Sequence, residues 1–79
     1  MMAQINDAQT VSITIREHIK SLISRNNLTV RKFAAKCGVS RFSVDAWLNR
    51  GQIPNGYSLY SICAAFNVSA DWLLGLDRR

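Results

Sequence analysis

The chain has 79 residues, a hydrophobic content of 48% and a formal net charge of +5 at pH 7. This length can bury one small core, so we expect a single domain, and no stretch approaches the roughly 18 apolar residues that a membrane span needs. The N-terminus also lacks the basic region and apolar run of a secretion signal. We therefore predict a cytoplasmic protein without membrane contact, and the basic excess favours a polyanionic partner.

Basic residues are concentrated in one part of the chain. Residues 16–50 contain eight of the ten Lys and Arg residues but two of the five acidic ones, whereas residues 51–77 contain two aspartates and no basic residue. Some of these cations are expected to be ordinary solvated side chains whatever the function. The concentration nevertheless indicates that residues 16–50 contain the surface that contacts a polyanion.

The N-terminal part predicts a flexible segment followed by a first helix. Residues 1–12 show no sustained hydrophobic period, and terminal segments of this kind are usually mobile. Thr14 and Glu17 match a T-x-x-E capping box, which predicts that the helix begins there. Apolar side chains follow at helical spacing as far as Ile23, and a pair of asparagines then marks the end of the helix.

Residues 28–47, LTVRKFAAKCGVSRFSVDAW, predict two short helices joined by a tight turn. Thr29 can cap the first helix through its hydroxyl, and Gly38 can adopt the left-handed conformation that ends it. Ser40 can then cap the second helix. Ala34 is small enough to let the two helices cross closely. This pattern is typical of a helix-turn-helix unit that binds DNA.

The C-terminal part predicts two more helices. The segment NRGQIPNGY has the composition of a loop, after which Ser58 can cap a fourth helix and Asn67 can end it. Ser69 can cap a short, strongly apolar fifth helix. The predicted fold is therefore all-α with five helices. The predicted organisation is a flexible segment at 1–12, one domain at 13–76 and a tail at 77–79.

Taken together, these residues resemble the lambda-repressor-like helix-turn-helix family of Cro and phage repressors, also called the XRE family. The similarity covers about residues 15–76. The positions that match the family spacing are Leu28-Thr29, Ala34, Gly38-Val39-Ser40, Val44, Trp47, Pro54, Leu59, Ile62 and the run NVSADWLLG. The ending, with RGQIP upstream, is most similar to temperate-phage repressors. The resemblance implies a compact five-helix domain that binds DNA as a transcriptional regulator, with a repressor of phage or prophage type favoured.

Several positions depart from the family pattern. Many members have Gln directly after the cap of helix 2, where it braces a base-contacting residue and contacts a phosphate, but this chain has Val30. A frequent Arg–Glu pair is replaced by Ile23 and Leu48, an exchange that packed apolar residues can make at little cost. The usual Gly after the recognition helix is Arg50, with Gly51 one residue later, so we expect the exit of that helix to differ.

If the second helix of the unit enters the major groove, the side chains at its N-terminal end reach the base edges. Arg41 can donate two hydrogen bonds to guanine O6 and N7. Phe42 can pack against a thymine methyl group or, alternatively, cover the junction with the preceding helix. Asp45 can accept from cytosine N4 or form an exposed ion pair with Arg41. The predicted base-contacting residues are Ser40, Arg41, Phe42, Asp45 and Ala46.

The start of the preceding helix is expected to bind phosphates, because its free N–H groups and its dipole favour anions. A second flank is expected where the recognition helix ends. Ser43 can contact a phosphate or only its own backbone, and Lys36 is expected to be a solvated side chain. The predicted phosphate-binding residues are Thr29, Arg31, Lys32, Ser43, Asn49, Arg50 and Gln52.

The C-terminal helix has more apolar surface than an exposed tail can carry. Trp72, Leu73, Leu74 and Leu76 either pack on the fourth helix or form a dimer interface. Because this helix commonly mediates pairing in the resembled family, we favour a homodimer on a pseudo-palindromic operator with half-sites about 34 Å apart. The chain is too short for the self-cleavage domain of large phage repressors, so we expect either a short regulator or the DNA-binding fragment of a longer one.

The sequence predicts no catalytic residue, metal site, cofactor or small-molecule ligand. His18 has no partner at a catalytic spacing, which favours a surface role, and no Gly-rich phosphate loop is present. Cys37 and Cys63 lie at apolar helical positions outside any CxxC or Cys/His cluster, so we expect reduced core residues. The alternative to DNA binding is a protein-docking module on the same fold, such as an antitoxin.

Overall fold

The computed structural model describes residues 8–76, which form five helices. These are α1 (Ala8–Arg25), α2 (Val30–Cys37), α3 (Arg41–Asn49), α4 (Gly56–Phe66) and α5 (Ala70–Leu74). The described part of the chain contains no strand, so the predicted all-α fold is confirmed. α1 packs against α3 and α5, α2 packs against α3 and α4, and α4 packs against α5. No helix between residues 8 and 76 is long and apolar enough to cross a membrane.

A single apolar core joins all five helices. Its buried members are Ile15, Ile19 and Leu22 of α1, Phe33, Ala34 and Cys37 of α2, Val44 and Trp47 of α3, Ile62 of α4 and Leu73 of α5. The rings of Phe33 and Phe66 stack with their centroids 5.2 Å apart, which ties α2 to α4. Ile23 and Leu48 are half-buried against this core, as expected for apolar residues that replace an ion pair.

Three of the four connections between helices share one three-residue pattern. Asn27-Leu28-Thr29, Gly38-Val39-Ser40 and Asn67-Val68-Ser69 each consist of a left-handed residue, an apolar residue and a hydroxyl residue that precedes the next helix. In all three, the N–H of the apolar residue donates to the carbonyl five residues earlier, over 3.0 to 3.1 Å. Each turn therefore gives a backbone carbonyl at the end of one helix a hydrogen-bond donor and also caps the next helix. The predicted caps and stops at these turns are confirmed.

The first helix starts earlier than predicted. α1 begins at Ala8, so residues 8–12 are helical and Thr14, the predicted cap, lies inside the helix. The hydroxyl of the buried residue Ser12 donates to the carbonyl of Gly51 at 3.0 Å and ties this part of α1 to the loop after α3. Because Ser12 is polar although it is buried, the apolar spacing that predicts the helix does not extend back to it. Residues 1–7 of the predicted flexible segment at 1–12, and the predicted tail at 77–79, lie outside the described residues.

α4 also starts earlier than predicted, because Asn55 rather than Ser58 caps it. The side-chain oxygen of Asn55 accepts from the Ser58 N–H at 2.8 Å, and Ser58 itself is buried inside the helix. Gly56 and Tyr57 therefore belong to α4 and not to the preceding loop. Asn and Ser are both good caps, so composition alone does not distinguish these two start points.

Candidate nucleic-acid interface

The N-terminal ends of α2 and α3 lie side by side. Thr29 caps α2 and Ser40 caps α3, each by accepting from the N–H three residues later at 3.1 Å. Gly38, with φ 72°, ends α2 and sets the direction of the turn between the two helices. As a result, the first turns of both helices line one open groove of about 360 Å³.

This groove has apolar walls and a cationic rim. It is lined by Val30 and Arg31 of α2 and by Arg41, Phe42 and Asp45 of α3. Phe42 is 71% exposed and lines this groove beside the first turn of α2. The guanidinium carbon of Arg41 lies 5.6 Å from the centre of the Phe42 ring, within the range of a cation–π contact. The start of α3 therefore presents a paired cation and aromatic ring.

Asp45 is bound by Asn49 and not by Arg41. The Asn49 Nδ2 donates to the Asp45 Oδ1 at 2.6 Å, one turn further along α3. Within residues 8–76, Arg41 and Asp45 form no ion pair, and the ion pair in this part of the chain joins Arg16 and Glu17 at 3.6 Å. The interpretation of Asp45 as an ion-pair partner of Arg41 is therefore wrong, and the guanidinium keeps its donors for other acceptors.

The two serines at the start of α3 bond to each other. Their hydroxyl oxygens, in Ser40 and Ser43, lie 3.1 Å apart, while Ser40 also caps the helix. Ser40 is exposed and Ser43 is half-buried. Ser43 thus already has a partner within its own turn, and the Ser40 oxygen is shared between the cap and this contact.

The prediction that Ala46 contacts bases is wrong. Ala46 is only 3% exposed, because α3 packs against both α1 and α2 and is covered on more than one side. The chain after α3 also folds back, so that the Gln52 N–H donates to the Ala46 carbonyl at 3.1 Å. A helix that packs on one side only would leave Ala46 exposed. Because α3 packs on both α1 and α2, Ala46 is buried.

The C-terminal end of α3 forms a second exposed region. Asn49, Arg50 and Gln52 are all exposed there. α3 ends at Asn49, Arg50 follows with φ −117°, and Gly51 carries the left-handed conformation with φ 72°. Gly51, and not Arg50, therefore carries the left-handed turn after α3.

The four predicted dimer residues differ in their accessibility. Leu73 is fully buried in the core, so its prediction as an interface residue is wrong. Trp72 is half-buried and stacks on His18 with ring centroids 4.2 Å apart. Leu74 is half-buried against the core, and Leu76 is 62% exposed. α5 packs against α1 through its buried side, and its remaining apolar side chains lie at the surface.

Sequence reasoning missed three features of these surfaces. Val30 forms a wall of the groove, and the sequence showed it only as a departure from the family's usual Gln. Tyr57 and Tyr60 are each 68% exposed, and their spacing of three residues marks one face of α4. His18 is half-buried, and its Nδ1 lies 3.2 Å from the Leu73 carbonyl, so it connects α1 to α5 instead of lying on the surface.

The cysteines lie outside the groove and are protonated at neutral pH. Burial raises the pKa of Cys37 from 9.0 to about 11, although the charge of neighbouring Lys36 acts in the opposite direction. Burial also raises the pKa of Cys63. Cys37 lies in the core and Cys63 packs against it, which confirms the prediction of core positions for both.

Comparisons with known proteins agree with this architecture. A family model described as helix-turn-helix matches residues 19–73, which include α2, α3 and α4 in full. No curated protein and no solved structure gives a significant match.

Proposed function

Because the chain belongs to the lambda-repressor-like (XRE) helix-turn-helix family of DNA-binding transcriptional regulators, we propose that it binds a specific double-stranded operator with α3 in the major groove. The observation that carries this proposal is the groove between the first turns of α2 and α3. Arg31 and Arg41 line it, and Lys32 is exposed next to Arg31 in α2. Its acidic member, Asp45, is bound to Asn49. A surface of this charge suits a polyanion. The protein would act in the cytoplasm, as a repressor of phage or prophage type.

Base recognition is assigned to the exposed start of α3. Arg41 would donate two hydrogen bonds to a guanine, and Phe42 would contact an apolar base edge beside it. Asp45 would accept from an exocyclic amino group with the oxygen that Asn49 does not occupy. Ser40 would contribute through its exposed hydroxyl, whereas Ala46 is buried and has no part in recognition.

Phosphate binding is assigned to two flanks of α3. At the start of α2, the Thr29 side chain occupies the Lys32 N–H, and the N–H groups of the two preceding residues have no partner within the helix. These donors, with the cations beside them, would hold one phosphate region. The other would contact the exposed residues where α3 ends. The proposed phosphate-binding residues remain Thr29, Arg31, Lys32, Ser43, Asn49, Arg50 and Gln52.

Pairing is assigned to the exposed part of α5. Leu76 and the accessible edges of Trp72 and Leu74 would form a symmetric homodimer interface, and the dimer would place two α3 helices on a pseudo-palindromic operator. Leu73 takes no part, because the core buries it.

Selection of duplexes from a random pool, followed by titration of the selected sequence, tests the proposal. Arg41→Ala should weaken binding roughly 5- to 150-fold, which corresponds to about 1–3 kcal/mol of base discrimination. Lys36→Ala is the matched control, because the Lys36 ammonium lies 5.5 Å from the Phe66 ring at the other end of α2. Absence of binding to any duplex at low salt, or no effect of Arg41→Ala, would contradict the proposal.

The alternative is a protein-docking module such as an antitoxin. The observation that favours it is the exposure of Tyr57, Tyr60 and Leu76 on the α4–α5 side. Such a module would bind its partner with unchanged affinity after Arg41→Ala and would lose that affinity after Tyr60→Ser.

A further inference from the structure

We infer that Val30 and Phe42 together form a binding site for the C5-methyl group of a thymine that lies next to a guanine bound by Arg41. This inference rests on the proposed function, since it names the base that the same groove recognises. It makes Val30, the first residue of α2, a specificity-determining residue although it lies outside the recognition helix.

The apolar character of the groove is the first reason. Val30 and Phe42 belong to different helices, and both are among the large apolar side chains that the described surface exposes. The structure brings them into one open groove whose other lining residues are charged. Neither is needed to complete the core, which lies on the inner sides of α2 and α3. Their exposure is therefore explained by an apolar group on the ligand.

The chemistry of the major groove identifies that group. Base edges present hydrogen-bond donors and acceptors there, and the apolar group among them is the methyl group at C5 of thymine. Val30 and Phe42 give such a methyl group two apolar side chains to pack against, and the cations that line the same groove suit the neighbouring phosphates.

The position of Arg41 identifies the neighbouring base. Its guanidinium carbon lies 5.6 Å from the centre of the Phe42 ring, so the cation and the apolar wall are side by side. A methyl group against Phe42 therefore leaves Arg41 beside the adjacent base pair, where guanine offers two acceptors. The free Asp45 oxygen can accept from the N6 amino group of the adenine paired with the thymine.

Removal of single methyl groups from the operator tests the inference. The probe is the duplex selected from a random pool, in which each thymine is replaced in turn by deoxyuridine, and the full chain is titrated with every version. For the wild-type protein, replacement of one thymine next to a guanine in each half-site should lower the affinity for the duplex about fourfold, the value of one buried methyl group. Other thymines should show no loss.

The same duplex pair is then titrated with variants of the two walls. Val30→Ser removes both γ-methyl groups of one wall, and Phe42→Ala removes the ring of the other. Each should therefore move the ratio of the affinity for thymine to the affinity for deoxyuridine towards one. Tyr60→Ser is the control, because Tyr60 is equally exposed but lies on α4 and should leave the ratio unchanged. Circular dichroism checks that each variant is folded.

Each result has a distinct meaning. Tight binding with no methyl effect at any position overturns the inference and leaves the proposed function intact. An unchanged affinity ratio in both Val30→Ser and Phe42→Ala has the same meaning. Failure to bind any duplex at low salt instead overturns the proposed function. A C·G pair at the sensitive position, with and without C5 methylation, distinguishes the source of the methyl group. Tighter binding of 5-methylcytosine than of thymine would overturn the assignment to thymine.

Discussion

The α2–α3 side and the α4–α5 side of the molecule share one core but expose different chemistry. The α2–α3 side exposes Arg31, Lys32 and Arg41, and its groove also contains the apolar side chains of Val30 and Phe42. Residues 51–76 contain a single charged residue, Asp71, and α4 instead exposes two tyrosines. Because both sides pack through similar apolar residues, the difference is not required for folding. It indicates that one side suits a polyanion and the other suits an apolar protein surface.

Replacement of two leucines at the end of the chain gives the largest contrast between core and surface. Leu73→Ala removes a fully buried side chain and should lower the free energy of unfolding by about 2–5 kcal/mol. Leu76→Ala alters an exposed side chain and should change the monomer by no more than about 0.5 kcal/mol. Urea denaturation at low protein concentration measures both values. Equal losses would contradict the assignment of Leu73 to the core and Leu76 to the surface.

Leu76→Ala also tests pairing through α5. If α5 forms the dimer, sedimentation should show weaker self-association in Leu76→Ala at unchanged monomer stability. Self-association that is unaffected would remove α5 from the interface and leave the exposed tyrosines of α4 as the next surface to examine.

Alkaline pH should destabilise the protein through Cys37. In the unfolded chain its thiol loses a proton near pH 9.0, whereas burial raises the pKa to about 11 in the folded state. The contribution to stability is therefore complete below pH 9 and is lost as the pH rises through 11, by up to about 2–3 kcal/mol. Denaturation across this range measures the slope. Cys37→Ala should reduce it, and Cys63→Ala, which alters a more exposed thiol, should retain most of it.

Local signals explain how much of the fold the sequence could predict. The turns at 27–29, 38–40 and 67–69 contain the left-handed residue, the apolar residue and the cap within three positions, so each turn can be located without tertiary information. Ser12 and Ala46 depend on contacts with distant segments, which local patterns do not contain. For the same reason the sequence identified Arg41 and Phe42 as exposed but did not place Val30 beside them.

Two glycines, one at the end of α2 and one at the start of α4, provide a smaller contrast. At Gly38 an added Cβ meets no atom within 4 Å, so the cost of Gly38→Ala comes from φ +72° alone and should be about 1 kcal/mol. Gly56 is also open but lies in the first turn of α4 without a positive φ, so Gly56→Ala should be neutral or stabilising by up to about 1 kcal/mol. Urea denaturation of both variants measures this difference. A similar loss in both would contradict the assignment of the cost at Gly38 to its positive φ.

The smallest expected effect on DNA binding comes from the positions of two lysines, Lys32 and Lys36, at opposite ends of α2. Lys32 lies beside the free N–H groups at the start of the helix, whereas the Lys36 ammonium lies 5.5 Å from the Phe66 ring. If Lys32 neutralises one phosphate, Lys32→Gln should weaken every duplex severalfold and reduce the slope of log Kd against log salt by about 0.9. Lys36→Gln removes the same charge from the same helix and should leave the slope unchanged. Equal reductions would mean that binding responds to net charge, and the phosphate contacts would then not be confined to the N-terminal end of α2.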